Sequence, residues 1–546
     1  MSAYSLGQPA SDFYETKRKD RTGPVDVARR LADIILPSRF PEETWNSGDE
    51  LPVTNQSISA RCINTLSTKL TSTALPPNLP NATFNPNETS LKDDIDRDPE
   101  LWAQVQYALS RREEIHRKRL GQTLGRTAYG KVMTLLLLTG NALTLWTDIN
   151  RPRVYTMHQY VTVRDNDGEA LVTVLKDPIV WATADEDIKA AATNHRLANN
   201  VGAPEDEWDE TIDIFHVQKM VKEGGKKRWL YWQEVEGGHV IADTDTDADY
   251  ETPTMYPAVI NLEAGSHYGL PYALDYEGDH QSVENFSSAL QDGAAAAAWF
   301  LIMVNPTGTT KIKDVQEADN LSVIPGRAED ITAPIFSKSG DLQIADKQLA
   351  DAARRLGFAY AMNTAIQRPG ERVTREEWVV MSRELNEAMG GLYVDLSQSF
   401  QLWFIRRFIF LHIREAGSGL KELPEGLVSI GVVTGLDSIG QTSEHQNLID
   451  WAKEGQEVLT PQGFMQELVP GNFLKRSAAL RSVKIDGLIK SADTKAAEQQ
   501  QAQQAQMQQT VLDKATGPLV KEGGAMIQGL MAQQQAAGAQ GVTNGG

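Results

Sequence analysis

Apolar side chains in roughly the first 140 residues recur at intervals of three and four, in RRLADIIL, in SARCINTLSTKLTSTAL and from Leu101 to Leu138. That is the spacing of one helix face, so this part reads as mainly helical. The Pro- and Asn-rich stretch from Pro76 to Asn87 separates two of the helices. From Leu143 the period drops to two, in LTLWTDI, RVYTMHQYVTV and EALVTVL, around the turn Asp165-Asn166-Asp167-Gly168. IDIFHVQKM, RWLYWQEVE and HVIADT continue it, separated by Gly224-Gly225 and Gly237-Gly238. The middle of the chain is therefore expected to be antiparallel sheet.

Helical spacing returns near Asp279, where Val283, Phe286, Leu290, Ala294, Ala297 and Leu301 fall on one stripe that ends at Asn305-Pro306. Pro- and Gly-punctuated sequence from 306 to about 343 predicts a compact insertion with little helix. A second helix from about Ala345 to Gln367 would place that insertion at the tip of a helical hairpin. After the turn Arg368-Pro369-Gly370-Glu371, Thr374 and Glu377 form a capping box that opens a long helix. Trp378, Met381, Leu385, Met389, Leu392, Leu396, Phe400 and Trp403 then repeat at spacings of three and four. Helical to Arg414, the element would run about 60 Å, with a bend expected at Gly390-Gly391. Shorter helices follow between about Ser443 and Ala492. The Gln/Ala/Gly-rich end holds too few large apolar residues to bury, and a frayed helix or disorder is expected there.

Composition narrows this picture. At 546 residues the chain is long enough for two or more packing units. Its 53 basic against 73 acidic side chains give a net charge of −20, the wrong sign for gripping nucleic acid over a whole surface. A single cysteine, Cys62, excludes internal disulfides and Cys-based zinc sites and suits a reducing cytoplasm. The N-terminus lacks a secretory signal, and the apolar runs Val132 to Trp146 and Ala294 to Val304 fall short of a membrane span. No membrane association is expected.

Catalytic signatures do not emerge. The chain carries no G-x-x-x-x-G-K-[ST], no G-x-G-x-x-G after a strand, no H-E-x-x-H and no G-x-S-x-G. Its nine histidines are scattered, with none paired at i+3 or i+4, and no metal site or cofactor is expected. Asp243, Asp245, Asp247 and Asp249 resemble half a calcium loop, but Ala248 and Thr254 stand where Gly and Glu are needed, which favours a solvated acidic hairpin end. Adjacent Glu376 and Glu377 suit a helix N-terminus and cannot face each other across a substrate. The clusters Arg111, Arg112, Arg117, Lys118, Arg119 and Lys226, Lys227, Arg228 are expected to be solvated faces.

The run FAYAMNTAIQRPGERVTREEWVVMSRELNEAMGGLYVDLSQSFQLWFIRR, residues 358–407, strongly resembles the segment of podovirus (short-tailed phage) portal proteins that joins the second stem helix to the long helix beneath the crown. SARCINTLSTKLTSTALPP, TGNALTLW, YVTVRDNDGE, DETIDIFHV, SHYGLPYALDYEGDHQSVENFSSALQ, VNPTG, PGRAEDI and TGLDSIGQ agree in the same order, so the resemblance covers nearly the whole chain. It implies an α+β, mostly helical, elongated portal-type subunit assembled as a ring, most often of twelve copies, and not an enzyme. Residues 1–278 would be the wing, 279–304 and 345–367 the stem helices, 305–343 the clip and 368–373 a channel loop. Residues 374–414 would be the long helix, 415–495 the crown and 496–546 the variable tail.

By the same likeness the ring would sit at one capsid vertex of the virion after synthesis in the host cytoplasm, and double-stranded DNA would be packaged and ejected through it. Implied partners are the terminase large subunit, then tail adaptor or nozzle proteins, together with major capsid, scaffolding and internal core proteins. The physics is compatible: small side chains at Ala294 and Ala297, with Leu301, would let neighbouring stem helices approach, and a heterologous contact repeated about an axis closes a ring. An acidic bore would not hold the duplex fast. Arg368, Arg372 and Arg375 are the candidate channel contacts with DNA, and ion pairs with Glu371, Glu376 or Glu377 account for them equally well. Another capsid-linked structural protein, such as an internal core or tail-tube component, would share the long helices and Gln-rich end.

Overall fold

A computed structural model describes residues 4–76, 81–86, 99–298, 303–318, 323–332, 339–362, 395–421, 428–432 and 448–459, apart from Ser47, Ala203 and Glu205, with scattered positions from 463 to 477. The chain divides into two compact units, Met1–Ala452 and Lys453–Gly546.

Helices α1 (Ala10–Arg18), α2 (Thr22–Ile35) and α3 (Ile58–Ala74) open the chain as the periodicity predicts. The Pro/Asn-rich stretch hides a strand, β1 (Ala82–Pro86). The helical span beyond it breaks into α4 (Pro99–Gly121) and α5 (Gly125–Thr139), where the amide of Leu124 turns aside to the carbonyl of Asn150 at 3.0 Å. Val132, Met133 and Leu135 to Leu138 of α5 are all buried, so its second half is enclosed while Thr127 and Lys131 in the first half stay exposed. It ends at Gly140, whose φ of 76° is the left-handed stop that glycine adopts without steric cost.

The chain passes directly into β2 (Asn141–Leu145), buried at all five positions, then β3 (Arg153–Tyr155), β4 (Tyr160–Arg164) and β5 (Ala170–Val180). The Asp165 to Gly168 turn forms as expected, closed by the Gly168 amide on the Asp165 carbonyl at 3.1 Å. An unanticipated helix, α6 (Glu186–Ala198), comes next; it buries only Ile188, Ala191 and Ala192, too narrow a stripe to stand out in the sequence. After it come β6 (Thr211–Glu223), β7 (Lys226–Val235), β8 (His239–Val240), β9 (Thr246–Asp249) and β10 (Met255–Val259). Strands β4-β5-β6-β7-β8 make one antiparallel sheet with β9 also on β7, and β10-β2-β3 make a smaller one.

Helix α7 (Glu277–Ala298) and helix α9 (Ser339–Ala359) form the expected hairpin. They run antiparallel, with Arg355 on Asp279 at 2.6 Å at one end and Leu342 beside Gly293 toward the other. Between them β11 (Met303–Val304) pairs with β12 (Ile331–Thr332), and the short helix α8 (Ile312–Gln316) lies in the intervening loop. Asp330 organises this loop by accepting bonds from the backbone amides and hydroxyls of Thr309 and Thr310, which hold its carboxyl below the usual range.

The second hairpin helix stops at Ala359, short of the expected Gln367. Ala361 turns left-handed at φ 51° and the Met362 amide reaches back to the Gly357 carbonyl at 2.7 Å, a closure that ends the helical ladder. The capping box at Thr374 and the bend at Gly390-Gly391 lie outside the described residues. The long helix is seen from Asp395, widens through a π turn at Ser397–Gln401 and continues as α10 (Leu402–Arg414). Strand β13 (Val428–Val432), also unanticipated, pairs with β1. The principal core gathers α5, β2 and α10 around Trp146, which meets Phe404 at 4.5 Å and Phe408 at 6.0 Å.

Candidate functional site

Three elements converge on the root of the hairpin. His280, in the second turn of α7, is fully buried between Ser59 of α3, 2.8 Å from its Nδ1, and Tyr360, 2.9 Å from its Nε2. The Tyr272 hydroxyl donates to the Ala359 carbonyl at 2.9 Å, and the rings of Tyr272, Tyr276 and Tyr360 lie within 5.6 Å of one another. The Cys62 thiol meets the sulfur of Met362 at 3.3 Å, and the Lys69 ammonium donates to the Ala361 carbonyl. The chain is thus gripped by α3 up to Met362. On the far side of residues 363–394, the Gln401 amide donates to the Ala74 carbonyl at 2.7 Å. One helix therefore holds both flanks of the segment that carries Arg368, Arg372 and Arg375, which themselves lie outside the described residues.

A serine on a histidine is the arrangement that activates nucleophiles. Here Ser59 and His280 are both closed to solvent at 0% exposure, so the contact has no route to a substrate. Its effect is on stability. Burial pushes His280 down to about 4, so between that value and the free imidazole's ~6.5 the unfolded chain binds the extra proton and the fold does not. Stability should fall as pH drops through this window, by about 3 kcal/mol in total for this residue. The thermal midpoint of the protein should decline more steeply from neutral pH toward pH ~4.5 than that of His280→Gln, which carries no titrating group. Parallel curves for the two proteins would exclude this role.

The structure also unites groups that no spacing revealed. The Nδ1 atoms of His116 and His412 lie 2.9 Å apart in the core, 296 positions distant in sequence. Burial drives His116 down to about 3 and raises neighbouring Glu113, which accepts the Phe84 amide, to about 7. No local pattern could have joined them. Among the described residues no group of three or more His, Cys, Asp or Glu is placed to hold a metal ion.

The basic clusters expected to be solvated keep Arg111, Lys118 and Lys226 exposed, and other members form ion pairs at the surface. Glu114 pairs with Arg117 at 2.7 Å and Lys118 at 3.1 Å, Arg119 pairs with Glu415, and Arg112 donates to the Lys421 carbonyl. In the hairpin, Lys227 pairs with Glu169, and Arg228 with Glu223 and Asp247, so one of the four alternating aspartates serves an ion pair. Of the stem positions, Ala294 is exposed on α7, Ala297 lies in that helix, and Leu301 is outside the described residues. No helix among the described residues is long and apolar enough to cross a membrane.

Residues 8–472 match the family model described as bacteriophage head to tail connecting protein. The portal proteins of Escherichia phage T7 and Enterobacteria phage T3 are each 30% identical over 445 residues, covering 80% of this chain and 80% of theirs. The portal protein of Pseudomonas phage phiKMV is 26% identical over 495 residues, covering 88% and 92%. A chain from the neck of a native gene transfer agent particle aligns over 72% of this chain and 85% of its own at 10% identity and a TM-score of 0.33, too low to bear on the fold.

Proposed function

The chain belongs to the bacteriophage head to tail connecting protein family and its function is that of a phage portal; on that premise we propose that identical copies close into a ring, of twelve subunits, at one capsid vertex, as a conduit for double-stranded DNA and not an enzyme. The observation that carries this reading is the match to portal proteins across four-fifths of both chains.

Residues 1–278 are then the wing, 279–304 and 345–367, which include most of α7 and α9, the stem, 305–343 the clip that meets the terminase large subunit and later the tail adaptor, and 368–373 the channel loop. Residues 374–414 join wing to crown, 415–495 form the crown facing capsid, scaffolding or internal core proteins, and 496–546 are the tail. Exposed side chains support this layout. The stem hairpin turns Ala294, Ala295 and Ala296 outward together with Ile344 and Phe358, the last 64% exposed. In the clip, Ile312 and Val323 are exposed, Val323 at 97%. On the ring reading these side chains are covered by other chains. Side-by-side stem packing covers the first set, and docking proteins cover the second.

Negative-stain class averages of the purified protein should show rings with a central opening and countable subunits. Monomers under every condition, or assemblies closed at the centre, would overturn the reading. Replacing both Arg368 and Arg372 with alanine should leave the rings unchanged and lower DNA retention in assembled heads several-fold, because a ring of guanidinium contacts to phosphate is removed. Full retention would make those arginines structural.

A further inference from the structure

The strongest unexplained surface of the molecule runs along α3. Two hollows of about 650 and 580 Å³ flank Asn64 and Thr68 and together form a groove beside this helix, the larger extending to α5. The lining includes Arg39, Arg61, Lys69, Arg126 and Lys131 and, among the described residues, not one Asp or Glu, in a chain where acidic side chains outnumber basic ones 73 to 53. Arg39, Arg61 and Lys131 are exposed and form no ion pair with a described carboxylate, unlike the arginines of α4. Arg126 donates to the Pro76 carbonyl through Nη2, while its Nε is buried with no partner. Most of the remaining lining is hydroxyl and amide, from Asn64, Thr68, Thr71, Ser72 and Thr127.

Cations without counter-ions, set among hydroxyls, are the groups that hold phosphate oxygens. The described lining holds no aromatic residue and no methionine, which protein interface centres favour alongside arginine. No large exposed hydrophobic residue lies on α3. The place in the fold points the same way: α3 grips both flanks of the segment expected to form the channel loop, through Cys62 and Lys69 at one flank and Ala74 at the other. At 17 residues the helix is about 25 Å long, enough to run beside some seven phosphates of one strand.

We propose that the carboxylate-free groove along α3 binds the phosphate backbone of duplex DNA, without regard to sequence, in every subunit. The proposal rests on the portal reading and adds to it a second contact, separate from Arg368 and Arg372. Three unpaired cations per subunit give a weak, salt-sensitive grip that slows the duplex without immobilising it.

The test uses the full-length protein, its rings confirmed by electron microscopy, and a short fluorescent duplex of arbitrary sequence titrated at stepped salt concentrations. Arg39→Gln, Arg61→Gln and Lys131→Gln combined should leave the rings intact, weaken binding about tenfold to a hundredfold at low salt, and flatten the logarithmic salt slope by about 3. The charge-keeping variant Arg39→Lys with Arg61→Lys should retain the wild-type slope, which separates loss of charge from loss of folding. Intact rings of the triple variant with unchanged slope and affinity would overturn the groove and leave the portal reading standing. Rings lost only in the triple variant would make the groove a contact between subunits and also overturn it. Absence of rings in the wild type would sink the portal reading itself.

Discussion

Gly269→Ala should abolish the native fold or lower its stability by about 4 kcal/mol or more, placing it among the largest single-substitution effects in the chain. A methyl group at this position would lie 1.9 Å from the Ile260 carbonyl oxygen and 2.5 Å from a methyl of Val259. The clash is with backbone, and that backbone cannot give. Asn141 clasps Gly269 from the other side, its amide donating to the Gly269 carbonyl at 2.8 Å and its oxygen accepting the Gly269 amide at 3.0 Å. Ile260 is tied in turn to the Gly140 carbonyl at 3.1 Å, and a side chain on Gly140 would meet the Gly269 carbonyl. Two glycines therefore let the end of α5, the end of strand β10 and the chain leading into α7 pass within van der Waals contact. Soluble yield and the thermal midpoint read the effect. Gly278→Ala, in a helix with open space around it, should be neutral or slightly stabilising. Equal behaviour of the two variants would refute the steric account.

Arg407→Ala should cost about 3 kcal/mol, read as a lower midpoint in denaturant or heat. The guanidinium is 5% exposed and has two backbone acceptors, the Trp146 carbonyl at 2.8 and 3.0 Å and the Thr252 carbonyl at 3.1 Å. Burial lowers its proton affinity to about 10, which leaves it charged at neutral pH. Truncation strands both carbonyls in a pocket that the native side chain fills, the costly half of a hydrogen bond's balance. Arg407→Lys should recover less than half of the loss, because a single ammonium cannot reproduce a three-pronged planar contact. A midpoint unchanged in the alanine variant would mean that water replaces the guanidinium at no cost.

Periodicity foretold the elements that bury a broad face. Helix α3, the β4 to β7 ladder and the α7–α9 hairpin were all legible from apolar spacing, and the hairpin insertion from its prolines and glycines. Elements that depend on distant partners were not. Strand β1 lies in a stretch whose prolines signal a loop, and it is a strand only because Ala82 faces Val432. Helix α6 buries three small or medium side chains, and the His116–His412 contact joins residues 296 positions apart. At the candidate site, the basic cluster Arg368, Arg372 and Arg375 of the expected turn stood out in the sequence, and it lies outside the described residues. The grip of α3 on both flanks of that turn, and the groove beside it, arose only once long-range packing was known. A charge balance averaged over 546 residues concealed a local surface of the opposite sign.

The pairing of β1 with β13 has a bearing on how the protein is made. At translation speeds of ~5–20 residues per second, β1 leaves the ribosome about 20–70 s before its partner strand exists. Throughout that interval its edge is unsatisfied, and the nascent chain cannot complete the part of its core around Phe84. A chain cut short before Val428 should therefore leave Phe84 without its cross-strand neighbour Ile430 and the core around it incomplete.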